Sequence, residues 1–119
     1  MLNRDTHVLV HALRGDLRAR ERELLSENPW GVAAIVLWEL AKLTQLERLT
    51  VDLDDPEVDA VLAGLHVWPL DLQVAKASTR LDFRGDPADE LIAATSIVHG
   101  VPLLTRDKKI RKSKLVPLA

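Results

Sequence analysis

Short apolar runs alternate with helical segments of about 10–15 residues, and this alternation most constrains what the chain can fold into. The run "WGVAAIV" is β-rich and gives way to "LWELAKLTQLERL", in which Leu37, Leu40 and Leu43 form a helical stripe. Later, "DPADELIAATSIVHG" predicts a helix that Gly100 ends, and "VPLLT" predicts the strand that follows. Strands joined in this way need crossover connections, so we predict an α/β fold with a parallel sheet.

The other segments fit the same scheme. A first helix is predicted to begin near Thr6, and "LRARERELLSEN" is predicted to form an exposed helix that ends before Pro29. Asp55 and Pro56 are suited to cap and begin a further helix, and "HVWPL" to form a short strand. We also expect "DLQVAKASTRLDF" to be helical and "KLVPLA" to form a last short strand.

Composition limits the class of protein. The 119 residues are 47 % hydrophobic and 29 % charged, which predicts one globular domain over residues 1–119. The net charge of −2 neither supports nor excludes RNA as a partner. The absence of cysteine excludes disulfides and a thiolate zinc site, and no apolar run reaches the roughly 18 residues of a membrane span. We therefore expect a cytoplasmic protein without a membrane partner.

Four acidic residues occupy equivalent places in this pattern. Asp5 precedes the first helix, Glu39 and Asp89 each lie one turn into a helix, and Asp107 follows "VPLLT". Functional residues of parallel α/β sheets gather at the carboxyl ends of the strands, so we expect these carboxylates at one edge. Their oxygens suit Mg²⁺ or Mn²⁺, which can activate water and neutralise charge on a phosphodiester.

Each acid also has a purely structural interpretation. Asp5 could be a helix cap, and Asp107 could be a turn residue among basic neighbours. Glu39 is harder to explain in this way, because it lies in an apolar stretch where an unpaired acid is costly to bury. A histidine metal site is not favoured, since His7 and His11 lack a third ligand at a recognisable spacing.

The stretch "DPADE" contains more acids than a helix start needs. Asp86 is suited to cap the helix and Pro87 to begin it. Asp89 is one methylene shorter than the Glu or Gln of the usual capping box, and the similar stretch "DDPEVDAVL" has Val58 at the matching position. Asp89 is therefore free for another role, whereas Glu90, about 100° further round the helix, is expected to face solvent.

Three segments together resemble a known family. "RDTHVLVHAL", "VLWELAKL" and "DPADELIAATSIVHGVPLLTRD", in this order and at these separations, resemble the PIN-domain ribonucleases, in particular the VapC toxins of type II toxin-antitoxin pairs. The resemblance covers essentially the whole chain. It implies a single PIN-like α/β/α domain, Mg²⁺- or Mn²⁺-dependent endonucleolytic cleavage of RNA, a cognate antitoxin and a homodimer.

The resemblance also implies roles for individual residues. The family's catalytic, metal-binding acids correspond to Asp5, Glu39, Asp89 and Asp107. Thr6 and Thr105 match hydroxyl positions that help to arrange the pocket, and Asp86 matches a position that supports it from the helix start. Five basic residues could grip RNA phosphates nearby: Arg14, Arg106, Lys108, Lys109 and Arg111.

Two departures from the family pattern leave alternatives open. Only "MLNR" precedes Asp5, with Arg4 in place of a buried aliphatic residue, so the first strand is expected to be short or frayed. Ala34 stands where relatives often have Ser, which would remove a hydrogen bond near the site. A catalytically silent PIN-like module that binds RNA or protein is therefore the alternative. A phosphoacceptor receiver domain is less favoured, because Asn3-Arg4-Asp5 lacks the adjacent acidic pair.

Overall fold

The protein forms one parallel sheet of four strands with seven helices, as described by a computed structural model of residues 1–119. The elements in chain order are β1 Leu2–Arg4, α1 Thr6–Arg14, α2 Ala19–Glu27, β2 Trp30–Ala33, α3 Ala34–Gln45, α4 Pro56–Ala63, β3 His66–Trp68, α5 Leu72–Ser78, α6 Pro87–His99, β4 Leu103–Leu104 and α7 Lys108–Arg111. The strand order is β3-β2-β1-β4, and every pairing is parallel. The predicted α/β fold with a parallel sheet is confirmed.

The register of β1 sets the position of everything that follows it. Asn3 lies opposite Gly31 of β2 on one side and Leu103 of β4 on the other. The carboxyl ends of these three strands therefore lie side by side at one edge of the sheet. The chain after each strand leads directly to Asp5, to the start of α3 or to Asp107.

The first strand is short, as expected, but it is not frayed. β1 has only three residues, but all of them are buried, and the strand pairs on both sides. The side-chain nitrogen of Asn3 donates to the Ile92 carbonyl at 3.2 Å and to Ser96 Oγ at 2.9 Å, which ties the strand to α6. β1 is stabilised by its pairing with a strand on each side and by these buried hydrogen bonds, which the local sequence does not reveal.

Some boundaries differ from those that the sequence predicts. The α3 helix begins at Ala34, earlier than the predicted change near Leu37, because the apolar run continues from the strand into the helix without a cap signal. The α5 helix ends at Ser78 and does not reach Phe83. The "KLVPLA" segment forms only a single bridge, from Leu118 to Leu103. α7, with four residues, is too short for periodicity to reveal.

The core lies where α1, α3 and α6 meet the sheet. Leu9, Val36, Ile92 and Leu103 have no more than traces of exposed surface and belong to one buried cluster. Gly31 is required by close packing, since a Cβ there would lie 2.5 Å from the Trp68 ring. None of the helices combines the length and apolar character needed to cross a membrane.

Candidate active site

Asp5 lies directly after the central strand and is only 3 % exposed. Its Oδ1 accepts a hydrogen bond from the Val8 backbone N–H at 2.8 Å and so caps α1. Its Oδ2 accepts a hydrogen bond from the Thr105 hydroxyl. Burial raises the pKa of Asp5, and the bonds from Thr105 and Val8 act in the opposite direction. Asp5 is therefore a helix cap and also a buried carboxylate held in one orientation.

Thr105 connects two of the predicted site acids. Its hydroxyl oxygen donates to Asp5 and accepts from the Asp107 N–H at 3.0 Å. Asp107 in turn caps α7, because its Oδ1 accepts from the N–H groups of Lys109 at 2.8 Å and Ile110 at 3.1 Å. The chain after β4 is thus fixed to the end of β1 through a single threonine.

Thr6 positions Glu39 in a similar way. The Thr6 hydroxyl donates to Glu39 Oε1 at 2.5 Å. Glu39 is half-buried in α3, and Thr6 is buried directly after Asp5. This hydrogen bond supplies the polar partner that a glutamate in an apolar stretch needs, and it joins α3 to the start of α1.

Asp89 is an acid of the site whose pKa is raised by the neighbouring carboxylates as well as by burial. Burial raises its pKa, and repulsion from Asp86, Glu39, Asp107 and Asp5 raises it further, to about 6. Each of the other three predicted acids is thus close enough to act on Asp89. Four carboxylates, from the end of β1, from α3, from α6 and from the chain after β4, form one negatively charged group, defined here as the acidic cluster: Asp5, Glu39, Asp89 and Asp107.

A surface cavity of about 400 Å³ opens onto part of this cluster. Asp89 and Asp107 line it together with Asp86, which caps α6 through the Ala88 N–H at 3.3 Å. Lys108 and Lys109 line the same cavity from the start of α7. Two acids of the cluster therefore line the same cavity as two lysine side chains.

The donor set of the cluster fits a hard divalent cation. All four ligands would be carboxylate oxygens, and burial together with repulsion from the neighbouring acids raises the pKa of Asp89. No three acidic, histidine or cysteine side chains converge closely enough to hold an ion by themselves. An ion held here would keep several water ligands, as Mg²⁺ commonly does.

The basic residues predicted to grip phosphates fall into different places. Arg106 is engaged in a paired contact with Glu21, at 2.7 Å from Nε and 2.6 Å from Nη2, and its Nη1 lies 2.9 Å from His11 Nε2. The hydrogen bonds from Arg106 are the main cause that lowers the pKa of Glu21 to about 2. Arg106 is thus held mainly by Glu21, whereas Arg14 is exposed and lines neither cavity at this edge.

A second cavity of about 340 Å³ contains basic residues that sequence reasoning missed. Arg18 and Arg20 line it with Arg106, Arg111 and Thr105. The Arg111 side chain also donates to the Thr105 carbonyl at 3.2 Å. Arg18 and Arg20 lie at the start of a charged helix, where the sequence alone offers no sign that they differ from ordinary solvated residues.

The fold and the site define a class: a parallel α/β domain with an acidic cluster at the carboxyl edge of its sheet. A sequence model described as the PIN domain matches residues 4–114. The chain belongs to the PIN domain family.

Known proteins similar to this chain agree with that assignment. Ribonuclease VapC22 of Mycobacterium tuberculosis (strain ATCC 25618 / H37Rv) is 38 % identical over 87 residues, which are 70 % of this chain and 66 % of that protein. The match thus spans slightly less than two thirds of the length of that relative.

Two solved structures share the fold. A chain of VapBC2 from Rickettsia felis, bound to a DNA fragment from their promoter, superposes with a TM-score of 0.74 at 20 % identity, covering 100 % of this chain and 98 % of that one. A chain of DNA-bound VapBC from Salmonella typhimurium gives a TM-score of 0.74 at 19 % identity, with coverage of 99 % and 96 %. At these identities the likeness shows the shared fold.

Proposed function

We propose that this protein is a toxin-like endoribonuclease that hydrolyses RNA phosphodiester bonds with the help of Mg²⁺ or Mn²⁺. The observation that carries the proposal is the acidic cluster, in which four carboxylates from distant parts of the chain act on one another at the carboxyl edge of the sheet. The similarity to Ribonuclease VapC22 supports RNA as the substrate.

Each acid of the cluster has a defined task in this proposal. Asp5, Glu39, Asp89 and Asp107 would hold the metal, which would activate a water molecule and stabilise negative charge on the phosphate. Thr105 keeps the Asp5 carboxylate in place, and Thr6 does the same for Glu39. Asp89 and Asp107 line the cavity, so a ligand that enters it would meet these two acids of the cluster.

The lysines of α7 would meet the substrate beside the acids. Lys108 and Lys109 are exposed and line the cavity that contains Asp89 and Asp107. Their ammonium groups can attract phosphate oxygens by charge alone, which suits a backbone contact without sequence preference. A protein with a net charge of −2 could in this way bring RNA to an acidic cavity.

We also propose that a cognate antitoxin neutralises the activity, with its tail in the acidic cavity. The structures that share this fold include VapBC complexes, which supports a protein partner of this kind. Homodimer formation and a cytoplasmic location stay predictions from the family resemblance and the sequence.

Cleavage of a labelled RNA by the purified protein tests the proposal. We expect cleavage with Mg²⁺ or Mn²⁺, none in EDTA, and none by Asp89→Asn. Asp59→Asn is the matched control, because Asp59 is an exposed acid on α4, outside the acidic cluster. Full cleavage in EDTA, or by Asp89→Asn, would contradict a metal-dependent mechanism at this cluster.

The second candidate function is a catalytically silent module that binds RNA or protein. It is favoured by the finding that no three side chains of the site converge on one point. Titration with Mn²⁺ separates the two functions. Binding of Mn²⁺ that Asp89→Asn weakens supports the nuclease, whereas absent Mn²⁺ binding with RNA binding intact supports the silent module.

A further inference from the structure

Arg4 is a buried cation without a hydrogen-bond partner. The residue is 0 % exposed, and its Nε, Nη1 and Nη2 atoms have neither solvent contact nor an acceptor. Arg4 takes part in neither of the two ion pairs of the protein. A guanidinium has five N–H donors, and leaving a buried charge unpaired is strongly destabilising.

One contact offsets part of that cost. The guanidinium carbon of Arg4 lies 3.3 Å from the centre of the Trp30 ring, which is a close cation–π stack. Such a stack is favourable when it is shielded from water. It satisfies none of the N–H donors, and burial still lowers the pKa of Arg4 to about 9. No carboxylate lies within hydrogen-bond or ion-pair distance of the Arg4 side chain.

A cavity of about 340 Å³ lies beside this arginine. Arg4 and Trp30 line it together with one face of α1 and the first turns of α4. The remaining lining residues are Leu9, Ala12, Leu13, Glu57, Val58 and Val61. Its volume is within the range of small-molecule sites, which are mostly apolar with a few polar groups.

The lining residues restrict the chemistry of an occupant. Apart from Arg4, the only charged residue is Glu57, which is exposed. The Trp30 ring N–H already donates to the Leu25 carbonyl at 2.6 Å and offers nothing further. A peptide backbone in this space would find no partners for its N–H and C=O groups, whereas an alkyl chain needs none. The cavity thus suits one anionic group on an apolar body.

We propose that this cavity binds a free carboxylate with an unbranched apolar tail, with Arg4 as the counter-ion of the carboxylate. The tail packs against Leu13, Val58 and Val61. The Arg4 nitrogens have no solvent contact, so binding requires a displacement of the side chains that separate them from the cavity. The site is separate from the acidic cluster and does not depend on the nuclease activity.

Calorimetric titration with octanoate, octanol and octylamine tests the charge preference. We expect one octanoate per chain, with octanol and octylamine binding at least about tenfold more weakly, because charge-assisted bonds to Arg are among the strongest. Equal binding of octanol, or no binding of octanoate, would overturn the proposal. Binding of an acidic apolar peptide in place of octanoate would also overturn it and would assign the cavity to a protein partner.

Variants locate the binding. Arg4→Met is expected to abolish the preference for octanoate over octanol, whereas Arg80→Met, the same change at an exposed arginine, keeps it. Val61→Trp places a larger side chain in the lining of the cavity and is expected to weaken octanoate binding by about tenfold or more, which provides the test if Arg4→Met does not fold. Asp89→Asn should bind octanoate like the unmodified protein. Undiminished binding by a folded Arg4→Met or Val61→Trp would refute the site.

Discussion

Arg4 and Asp5 are consecutive buried charged residues at the end of β1, and only Asp5 has hydrogen-bond partners for its charged group. Both oxygens of Asp5 accept hydrogen bonds, from Val8 and Thr105, whereas none of the three side-chain nitrogens of Arg4 has an acceptor. Burial alone therefore does not decide what a charge costs. The Asp5 carboxylate is held by hydrogen bonds from its site. The cavity beside Arg4 supplies no acceptor for the guanidinium.

The difference follows from strand geometry. Successive side chains of a strand point to opposite faces of a sheet. Asn3 bonds to α6, and Arg4 stacks on Trp30 and lines the cavity beside α1 and α4. Asp5 lies past the end of the strand, where α1 begins and its free N–H groups offer partners for a carboxylate. These N–H groups are donors, so they cannot partner the guanidinium of Arg4, which needs acceptors.

The largest expected effect is on Asp5. Asp5→Asn removes the negative charge while keeping a side chain that caps helices well, so the fold should persist. We expect RNA cleavage to fall by more than about 100-fold, since even residues that only support metal ligands cost 10–100-fold. A cleavage assay and circular dichroism measure the two properties. Cleavage close to that of the unmodified protein would remove Asp5 from the catalytic group, and Arg4→Met, one residue away, should leave cleavage unchanged.

Variants of Thr105 test how much the hydrogen bond from its hydroxyl to the Asp5 carboxylate contributes to cleavage. Thr105→Val keeps the shape and removes the hydroxyl that bonds Asp5, and we expect cleavage to fall roughly 10–100-fold. Thr105→Ser retains a hydroxyl and is expected to stay within about threefold of the unmodified protein. A valine variant as active as the serine variant would show that the hydrogen bond to Asp5 is dispensable.

Arg4→Met tests the cost of the unpartnered cation. Replacing a buried unpaired charge with an apolar side chain should raise the free energy of unfolding by about 1–2 kcal/mol, after the loss of the stack on Trp30. Urea denaturation without added carboxylates measures the change. Arg80→Met should lie within about 0.5 kcal/mol of the unmodified protein, as is usual for surface changes. A clear loss of stability in Arg4→Met would mean that Arg4 has partners in solution.

The smallest effect is the pH dependence of stability through Asp89. Its folded pKa of about 6 exceeds the ordinary 3.8, so its stabilising contribution is fully present below 3.8 and is lost as the pH rises through 6. At about pH 8 without divalent ions, Asp89→Asn should be more stable by about 1 kcal/mol, a value reduced for solvent screening.

Denaturation curves at several pH values measure this difference, which should nearly vanish at about pH 4. Asp59→Asn, on the exposed face of α4, should show no such dependence. A pH-independent difference between Asp89→Asn and the unmodified protein would mean that neither burial nor the other carboxylates raise the pKa of Asp89.

The sequence determined the parts of the molecule that depend on neighbouring residues. Asp86 and Pro87 begin α6, and Gly100, with a φ of 63°, ends it, as capping chemistry predicts. The alternation of strands and helices predicted a parallel sheet. The parallel sheet in turn predicted that Asp5, Glu39, Asp89 and Asp107 meet at one edge, because the carboxyl ends of such strands meet there.

The tertiary structure decided which groups become partners. The hydroxyl that orients Asp5 comes from Thr105, the partner of Arg106 is Glu21, and Arg4 lies over Trp30. Each of these contacts joins segments that are distant in sequence. The periodicity of a segment does not predict which distant residue it will contact. Capping and strand alternation are set by interactions within a few residues, whereas the satisfaction of a buried charge depends on what the folded chain brings to it.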